Sequence, residues 1–402
     1  MNYEHISRIL TLRYDPKTKP GLKPLSKGDF TPKNISNIES KLVEIIKDDL
    51  LQRESNLKTI SLSLSGGVDS GLTLAMLKKF LPHTKIQCFS MGFGDDDDEV
   101  SKAGEIARFY DCDFHSIIKE DILSELPKLI SIVKEPRWNL YQFYPMVEGK
   151  KKSGVFYSGD GADELFGGYT FRYQKFLSML KKNTGWKERT KLYLSCHERD
   201  WVPDQHKLFG SKIRFSWEKI YNFLRRYFDN DMSPLDQIFL ADFNGKLLYD
   251  WLPTNDSFGK FLHLDIRSMF LTEKMIKFAT HIPWKTKYDQ EHAIGKLPLR
   301  FILAKQNAFM KIKPIKKGFA VDLSSLWRKN GREIARRYVN SDSEVVKNRI
   351  INEKWVTNTH KKLQGDINSL DLQYINKMLG ILAVEVWYRL FVSKTMTNDE
   401  QL

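Results

Sequence analysis

Cysteine is scarce in this chain. Cys88, Cys112 and Cys196 are the only three in 402 residues, an odd number with no Cys-x-x-Cys pair. That pattern excludes a disulfide framework and a thiolate zinc site, and it suits a reducing compartment, so a cytoplasmic location is expected. Long apolar runs are missing too. A membrane span needs ~20 apolar residues in succession. The best candidate, Leu379 to Val392, is broken by Glu385 and Arg389. It reads as a core helix, and no membrane partner is expected. The opening MNYEHISRIL lacks the basic-then-apolar order of a secretion signal. No internal repeat occurs, and the one biased tract is Asp95-Asp96-Asp97-Asp98-Glu99. It falls where a helix should begin, and carboxylates there favour the helix dipole.

The hydrophobic fraction is 41%, with nine Trp, and mean hydropathy is −0.44. These values describe a chain able to bury sizeable cores, and its length suggests two domains. Net charge is +14, from 64 basic and 50 acidic residues. The excess is mostly lysine scattered along the chain, with short clusters at Lys150-Lys151-Lys152 and Lys311-Ile312-Lys313. Scattered lysine reads as solvated surface, so no nucleic-acid partner is expected.

Three regions are expected. Residues 1–35, with Pro16, Pro20, Gly21, Pro24 and Gly28, read as an extended N-terminal arm. Residues 36–185 read as an α/β nucleotide-binding domain. A helix through Ile38, Leu42, Ile45, Ile46 and Leu50 is followed by strands at Thr59–Leu64, Lys85–Met91, Phe114–Ile118 and Gly154–Tyr157. Helices at Ser70–Phe80, Glu99–Tyr110 and Ile122–Val133 alternate with them. That order predicts a doubly wound, mostly parallel sheet. Residues 186–402, rich in Trp, Phe, Tyr, Lys and Arg, read as a mainly helical substrate-side region.

Two glycine-and-acid strings carry the chemistry. The first, Ser65-Gly66-Gly67-Val68-Asp69-Ser70, joins a strand to a helix. Its glycines let backbone approach a ligand, and the amides opening the next helix favour an anion. Ser65 and Ser70 add hydroxyl donors. Asp69 places a carboxylate beside that anion, which makes sense with magnesium between them. No Gly-Lys-Ser/Thr ending is present, so the Walker pattern does not apply. The second string is Ser158-Gly159-Asp160-Gly161-Ala162-Asp163-Glu164-Leu165-Phe166-Gly167-Gly168-Tyr169. Ligands of doubly wound sheets sit beyond the carboxyl ends of the strands. Asp69 and Asp163 can meet there across 94 positions of sequence and share a metal with pyrophosphate oxygens. Asp160 would project toward a reacting carboxylate or amine.

The first string resembles the signature of the PP-loop ATP pyrophosphatases, which cleave ATP between the α- and β-phosphates. The second resembles the synthase domain of the asparagine synthetases. Glu135-Pro136, Lys296 with Leu299 and Arg300, Lys316-Lys317-Gly318-Phe319, and Glu385 with Trp387 resemble further family segments in the right order. The resemblance implies ATP and Mg2+ as cofactors. It implies Ser65, Gly66, Gly67, Asp69, Ser70, Gly159 and Gly161 as nucleotide contacts, with Asp69 and Asp163 as metal ligands. Asp160 and Lys316 would be catalytic, Lys316 stabilising charge on the α-phosphate and then on the tetrahedral intermediate.

The sequence also departs from the family. Asn2 stands where the family's N-terminal glutaminase has its cysteine nucleophile, and no such domain is expected ahead of residue 59. On the substrate side, Asp256-Ser257 replaces Asp-Arg, and Asp265 to Thr272 loses a proline and an aspartate of the family pattern. The expected activity is an AMP-forming amide ligase acting on a carboxylate, aspartate among the candidates. Nitrogen would come from ammonia, a substrate amine or a separate glutaminase chain. Lactam-type ring closure, tRNA-base adenylation and a non-catalytic remnant are the alternatives.

Overall fold

The computed structural model describes residues 3–94, 98–306 and 321–402. Its centre is a sheet of five parallel strands: β1 Thr59–Ser63, β2 Lys85–Gly92, β3 Asp113–Ile118, β4 Val155–Tyr157 and β5 Asp265–Arg267. They lie in the order β3-β2-β1-β4-β5. β2 is buried at every position after Lys85 because it is covered on both faces. β3, at one edge, is only half buried. The expected parallel sheet and its first four strands are present. The fifth strand comes from residues read as part of the helical half. Its pairing with β4, Val155 opposite Asp265 through Tyr157 opposite Arg267, closes the sheet on the other edge.

Successive connections leave β1 in opposite directions. The chain steps to β2 and β3 on one side, then returns to place β4 on the other. The β1–β4 crevice is therefore the topological switch point, where open α/β sheets bind ligands. Both glycine-and-acid strings leave the sheet there.

Among the described residues, seven α-helices surround this frame up to residue 166. They are α1 Tyr3–Leu12, α2 Ile38–Glu54, α3 Val68–Phe80, α4 Asp98–Phe109, α5 Leu126–Val133, α6 Phe143–Lys150 and α7 Ala162–Phe166. α2 buries Ile38, Leu42, Ile46 and Leu50, a four-residue spacing that keeps one face on α3 and on the helices Glu273–His281 and Leu297–Lys305. α5 begins four residues later than expected. The Asp121 carboxylate accepts from the Leu123 and Ser124 amides, so Ile122 and Leu123 are buried in a turn ahead of the helix. Asp98 and Glu99 open α4; Asp95 to Asp97 lie outside the described residues. All three cysteines are free thiols, Cys88 buried in β2 as expected.

The N-terminal arm is corrected over its first third. Residues 3–12 are helical, with Ile6, Ile9 and Leu10 buried. The spacing i, i+3, i+4 of these residues marks the helix face, and the prolines and glycines begin only after it. Arg8 is 2% exposed and is held by Asp15, its Nε donating to Oδ1 at 2.6 Å. His5 bridges Asp15 (2.8 Å) and Glu135 (2.9 Å). Buried Lys377 and Gln205 both donate to the Leu10 carbonyl. Residues after the helix form a strap over the molecule, pinned where the Gly21 amide donates to the Leu248 carbonyl at 2.8 Å.

Beyond α7 the described chain is mostly helical. Its packing is shared with the sheet half: Phe89 of β2 and Phe156 of β4 belong to one buried cluster with Trp327, Leu379 and Leu382. Glu385, fully buried, accepts from the Glu344 and Val345 amides and from Arg389. Trp387 donates to the Lys134 carbonyl at 3.0 Å. The Glu-x-Trp segment is thus tied to Lys134, the residue that precedes Glu135-Pro136.

Candidate active site

The two strings touch. Gly159 lies so close to the start of α3 that a Cβ there would come within 2.8 Å of the Asp69 Cβ and 3.2 Å of the Ser70 amide nitrogen. Any other residue would push the second loop off the first. Within the first loop, Ser65 and Ser70 are joined to each other. Their hydroxyls are 3.0 Å apart, and the Ser65 amide donates to the Ser70 hydroxyl at 3.0 Å. The Gly67 amide donates to the Ser65 hydroxyl at 3.2 Å, and Gly67 caps α3. Gly66 passes against Lys102 of α4, with space for a Cβ only 2.9 Å from the Lys102 Cβ. These bonds hold the loop in its turn.

Asp69, at the start of α3, and Asp163, in α7, converge on one cation. The Lys296 ammonium lies 2.5 Å from Asp69 Oδ2 and 2.6 Å from Asp163 Oδ1. Lys296 is almost fully buried, and its backbone is left-handed, φ 60°. It is placed by a short antiparallel pair, β6 Tyr288–Asp289 and β7 Ile294–Gly295, and by its amide, which donates to the Phe166 carbonyl at 3.0 Å. Gly168 makes room for it: a Cβ there would fall 1.7 Å from Asp163 Oδ1 and 2.4 Å from Lys296 Cε. Lys296 carries a motif match in the sequence but no predicted role. Asp69 lies 227 positions from it in sequence, which hides the pairing.

Asp160 faces the other way. Its carboxylate accepts from Ser158 Oγ (2.7 Å), Trp251 Nε1 (2.8 Å) and Asn255 Nδ2 (3.0 Å). Its carbonyl accepts from Ser268 Oγ at 2.7 Å. Burial pushes its carboxyl above the usual range against those donors, and the charges of Asp69 and Asp163 push the same way. Gly161 turns the chain between the two aspartates at φ 89°, packed against Leu271. Trp251, Asn255 and Ser268 went unrecognised in the sequence, since nothing in a helical stretch marks which polar side chain faces inward. Glu164 points behind the loop, where Tyr169 donates to it at 2.6 Å. Burial and neighbouring Asp163 push its carboxyl up to about 7. Lys316 and the segment around it lie outside the described residues.

Outside Asp160 runs a groove of about 1010 Å³. Its walls include Ser158 and Asp160, the helix Leu252–Leu262, β5 and the turn to Thr272, α2 at Asp49 and Arg53, and the N-terminal strap at Gly21 and Leu22. Asp256, Asp265, Arg267, Leu271 and Thr272 all line it, and these belong to the segments where the sequence departs from the family pattern.

The family model for asparagine synthase matches residues 48–389, from within α2 to the end of the long C-terminal helix. The chain belongs to the asparagine synthase family. A curated relative, asparagine synthetase [glutamine-hydrolyzing] 1 of Bacillus subtilis (strain 168), is 26% identical over 303 residues, covering 66% of this chain and 47% of that protein. Putative asparagine synthetase [glutamine-hydrolyzing] 2 of Methanocaldococcus jannaschii is 31% identical over 111 residues, 26% of this chain and 22% of that one. The chain thus spans at most about half the length of these asparagine synthetase relatives. Among solved structures, the NH3-dependent NAD synthetase from Campylobacter jejuni overlaps 33% of this chain and 59% of its own at 18% identity, with a TM-score of 0.25. That overlap is too loose to carry weight. Within the family match lie both glycine-and-acid strings, Lys296 and the whole groove wall from Asp49 to Glu273.

Proposed function

We propose that the chain is an ATP-dependent amide ligase that forms AMP and pyrophosphate. The observation that carries this reading is the convergence of Asp69 and Asp163 on one cation at the switch point, with Asp160 turned to a separate groove. Magnesium fits this arrangement. It is commonly held by one or two carboxylates, with phosphate oxygens and water completing its shell. The point where Asp69 and Asp163 meet already holds a positive charge, that of Lys296. Among the described residues no group of three or more His, Cys, Asp or Glu is assembled to hold a metal. When bound, magnesium would neutralise charge on the departing pyrophosphate.

In this reading Gly66 and Gly67 bring backbone close to the phosphates, and Ser65 and Ser70 hold the turn that presents them. Gly159 and Gly161 let the second loop close over the same phosphates. The acid substrate lies in the groove beside Asp160. Its carboxylate attacks the α-phosphorus, the bond to the β-phosphate oxygen breaks, and pyrophosphate leaves. Ammonia or an amine then attacks the acyl carbon and AMP departs, with Asp160 placed to orient the nucleophile. Lys316, by its place in the family segment, would meet the charge developing on the α-phosphate. The nitrogen donor is ammonia, a substrate amine, or ammonia from a separate glutaminase chain. A cytoplasmic setting accords with the free thiols, and among the described residues no helix is long and apolar enough to cross a membrane.

The test is ATP-dependent pyrophosphate release over a panel of carboxylic acids, with ammonia and with glutamine. Acid-dependent release of pyrophosphate with AMP is expected. ADP and phosphate as products would overturn the reading. Glutamine should yield no glutamate with the purified chain alone.

A further inference from the structure

Cys88 and Cys112 lie 24 positions apart in sequence and meet in the fold. β2 and β3 are parallel neighbours, with Cys88 opposite Phe114. Side chains two residues apart share one face of a sheet. Cys112, two residues ahead of Phe114, is therefore carried to the face of Cys88. The turn that delivers it is tight: Asp111 is left-handed, φ 49°, and the Cys112 amide donates to the Ala107 carbonyl at 3.0 Å. The two side chains are hydrogen-bonded, thiol to thiol. The Cys112 thiol donates in turn to the Tyr110 carbonyl at 3.5 Å. Both sulfurs are free of disulfides.

The two members of the pair differ. Cys88 is fully buried in β2, and Cys112 is half-buried. The hydrogen bond from Cys88 draws the Cys112 thiol below its ordinary value; burial, Asp111 and Asp113 oppose this, and Lys78 of α3 supports it. The same bond, with burial, pushes Cys88 up. The thiolate is the form that oxidants attack, and an oxidant-sensitive thiol has access to solvent and a second thiol beside it. Cys112 has the access, and Cys88 is the second thiol. Cys196 is half-buried as well, but burial pushes its thiol up to about 11.

We propose that Cys88 and Cys112 form an oxidation site, a thiol pair that a peroxide converts to a reversible disulfide. The Cys112 thiolate attacks one oxygen of hydrogen peroxide. The O–O bond breaks, hydroxide leaves and takes up a proton, and Cys112 becomes a sulfenic acid. The Cys88 sulfur then attacks the Cys112 sulfur, and its proton goes to the departing oxygen. An S–O bond breaks and an S–S bond forms. Two thiols and one peroxide become one disulfide and two waters, with two electrons passing from sulfur to peroxide oxygen. β2 is held between β1 and β3, so closure should draw in the turn at Asp111 and leave the strand in place. The pair sits where β3 begins, whereas the two glycine-and-acid strings leave the carboxyl ends of β1 and β4. It is a site of its own and does not rest on the ligase reading.

Mass spectrometry of the purified full chain tests this. After treatment with hydrogen peroxide the chain is expected to lose two hydrogens. An acid-quenched digest should then give one pair of peptides joined through Cys88 and Cys112, with Cys196 still open to alkylation. Dithiothreitol should restore the original mass. In Cys88→Ala the second thiol is gone, so dimedone, which captures sulfenic acids, should label Cys112 at least about tenfold more than Cys196, as their difference in thiolate content implies. Oxidation of Cys112 with no link to Cys88 overturns the inference. So does a link that involves Cys196, or heavier dimedone labelling of Cys196 than of Cys112. The digest of the unaltered chain decides the matter even where Cys88→Ala does not fold.

Discussion

Asp160 and Asp163 are three residues apart in one loop and serve different surroundings. Asp163 joins Asp69 on a single lysine, in a cluster built from α3, α7 and the turn after β7. Asp160 is wrapped by an indole, an amide and a hydroxyl from elements that follow residue 250. The first environment is made of charges, the second of neutral donors. Charges of opposite sign suit a site that trades one cation for another. Neutral donors orient a carboxylate without cancelling it. In the ligase reading, one loop can therefore keep its phosphate contacts while the residues around Asp160 change, and the departures from the family pattern do line the groove beside Asp160.

The sharpest way to break this contrast is on the charged side. Asp69→Asn and Asp163→Asn should each lower pyrophosphate release by about 100-fold or more, as loss of a group that stabilises developing charge does. Both should also weaken the dependence on magnesium. Wild-type turnover of either variant at limiting magnesium would dissolve the shared-cation site. Lys316→Ala should cost on the order of 100-fold in kcat with little change in the KM for ATP, because in the ligase reading the charge it would meet belongs to the transition state. A raised KM at normal kcat would assign it to ground-state binding.

On the neutral side effects should be smaller and fall on a different parameter. Asn255→Ala removes one donor from a buried carboxylate, a change of ~1.5–3 kcal/mol, or roughly tenfold to a hundredfold. It should appear in kcat/KM for the acid and leave the KM for ATP in place. An equal loss in both would mean that the two sides act as one.

The smallest effect concerns the ties that hold α1 and the start of the strap. His5 is pushed up to about 9: burial opposes its charge, and hydrogen bonds to Asp15 and Glu135 outweigh burial. Its contribution is therefore complete below its unfolded value of about 6.5 and fades as pH rises through about 9. Asp15 is held down to about 2 by His5 and Arg8 despite burial, so its share is present above its ordinary range near 3.8 and is lost as pH falls through about 2. Glu135→Gln should lower Tm by about 1–3 °C at pH 6, and the difference should vanish by about pH 10. A pH-independent difference would remove His5 from the account.

Much of the phosphate side was legible because its residues are contiguous. A strand, two glycines and an acid specify a turn, and strand order then brings two such turns together. Asp69, Asp160 and Asp163 could be placed at one crevice from sequence for that reason. Lys296 and Asn255 could not be given their roles, since each depends on a partner more than ninety positions away. β5 was missed because three residues, Asp-Ile-Arg, carry no alternation, and only the open edge of β4 makes them a strand. The helix α1 had its apolar spacing in plain view, but the prolines behind it argued for an extended chain.

The tie between Lys377 and the Leu10 carbonyl spans 367 positions. Proteins are made from the N-terminus at ~5–20 residues per second, so Leu10 is made 367 residues ahead of its partner and waits for it. The sheet need not wait. β1, β2, β3 and β4 are complete by residue 157, well before Asp265 arrives to cover the last edge. Nucleotide-side structure can thus form early, and the groove wall contributed by the strap is finished late. Pulse-labelled hydrogen exchange during refolding should show β1 amides protected before those of α1, and the reverse order would contradict it.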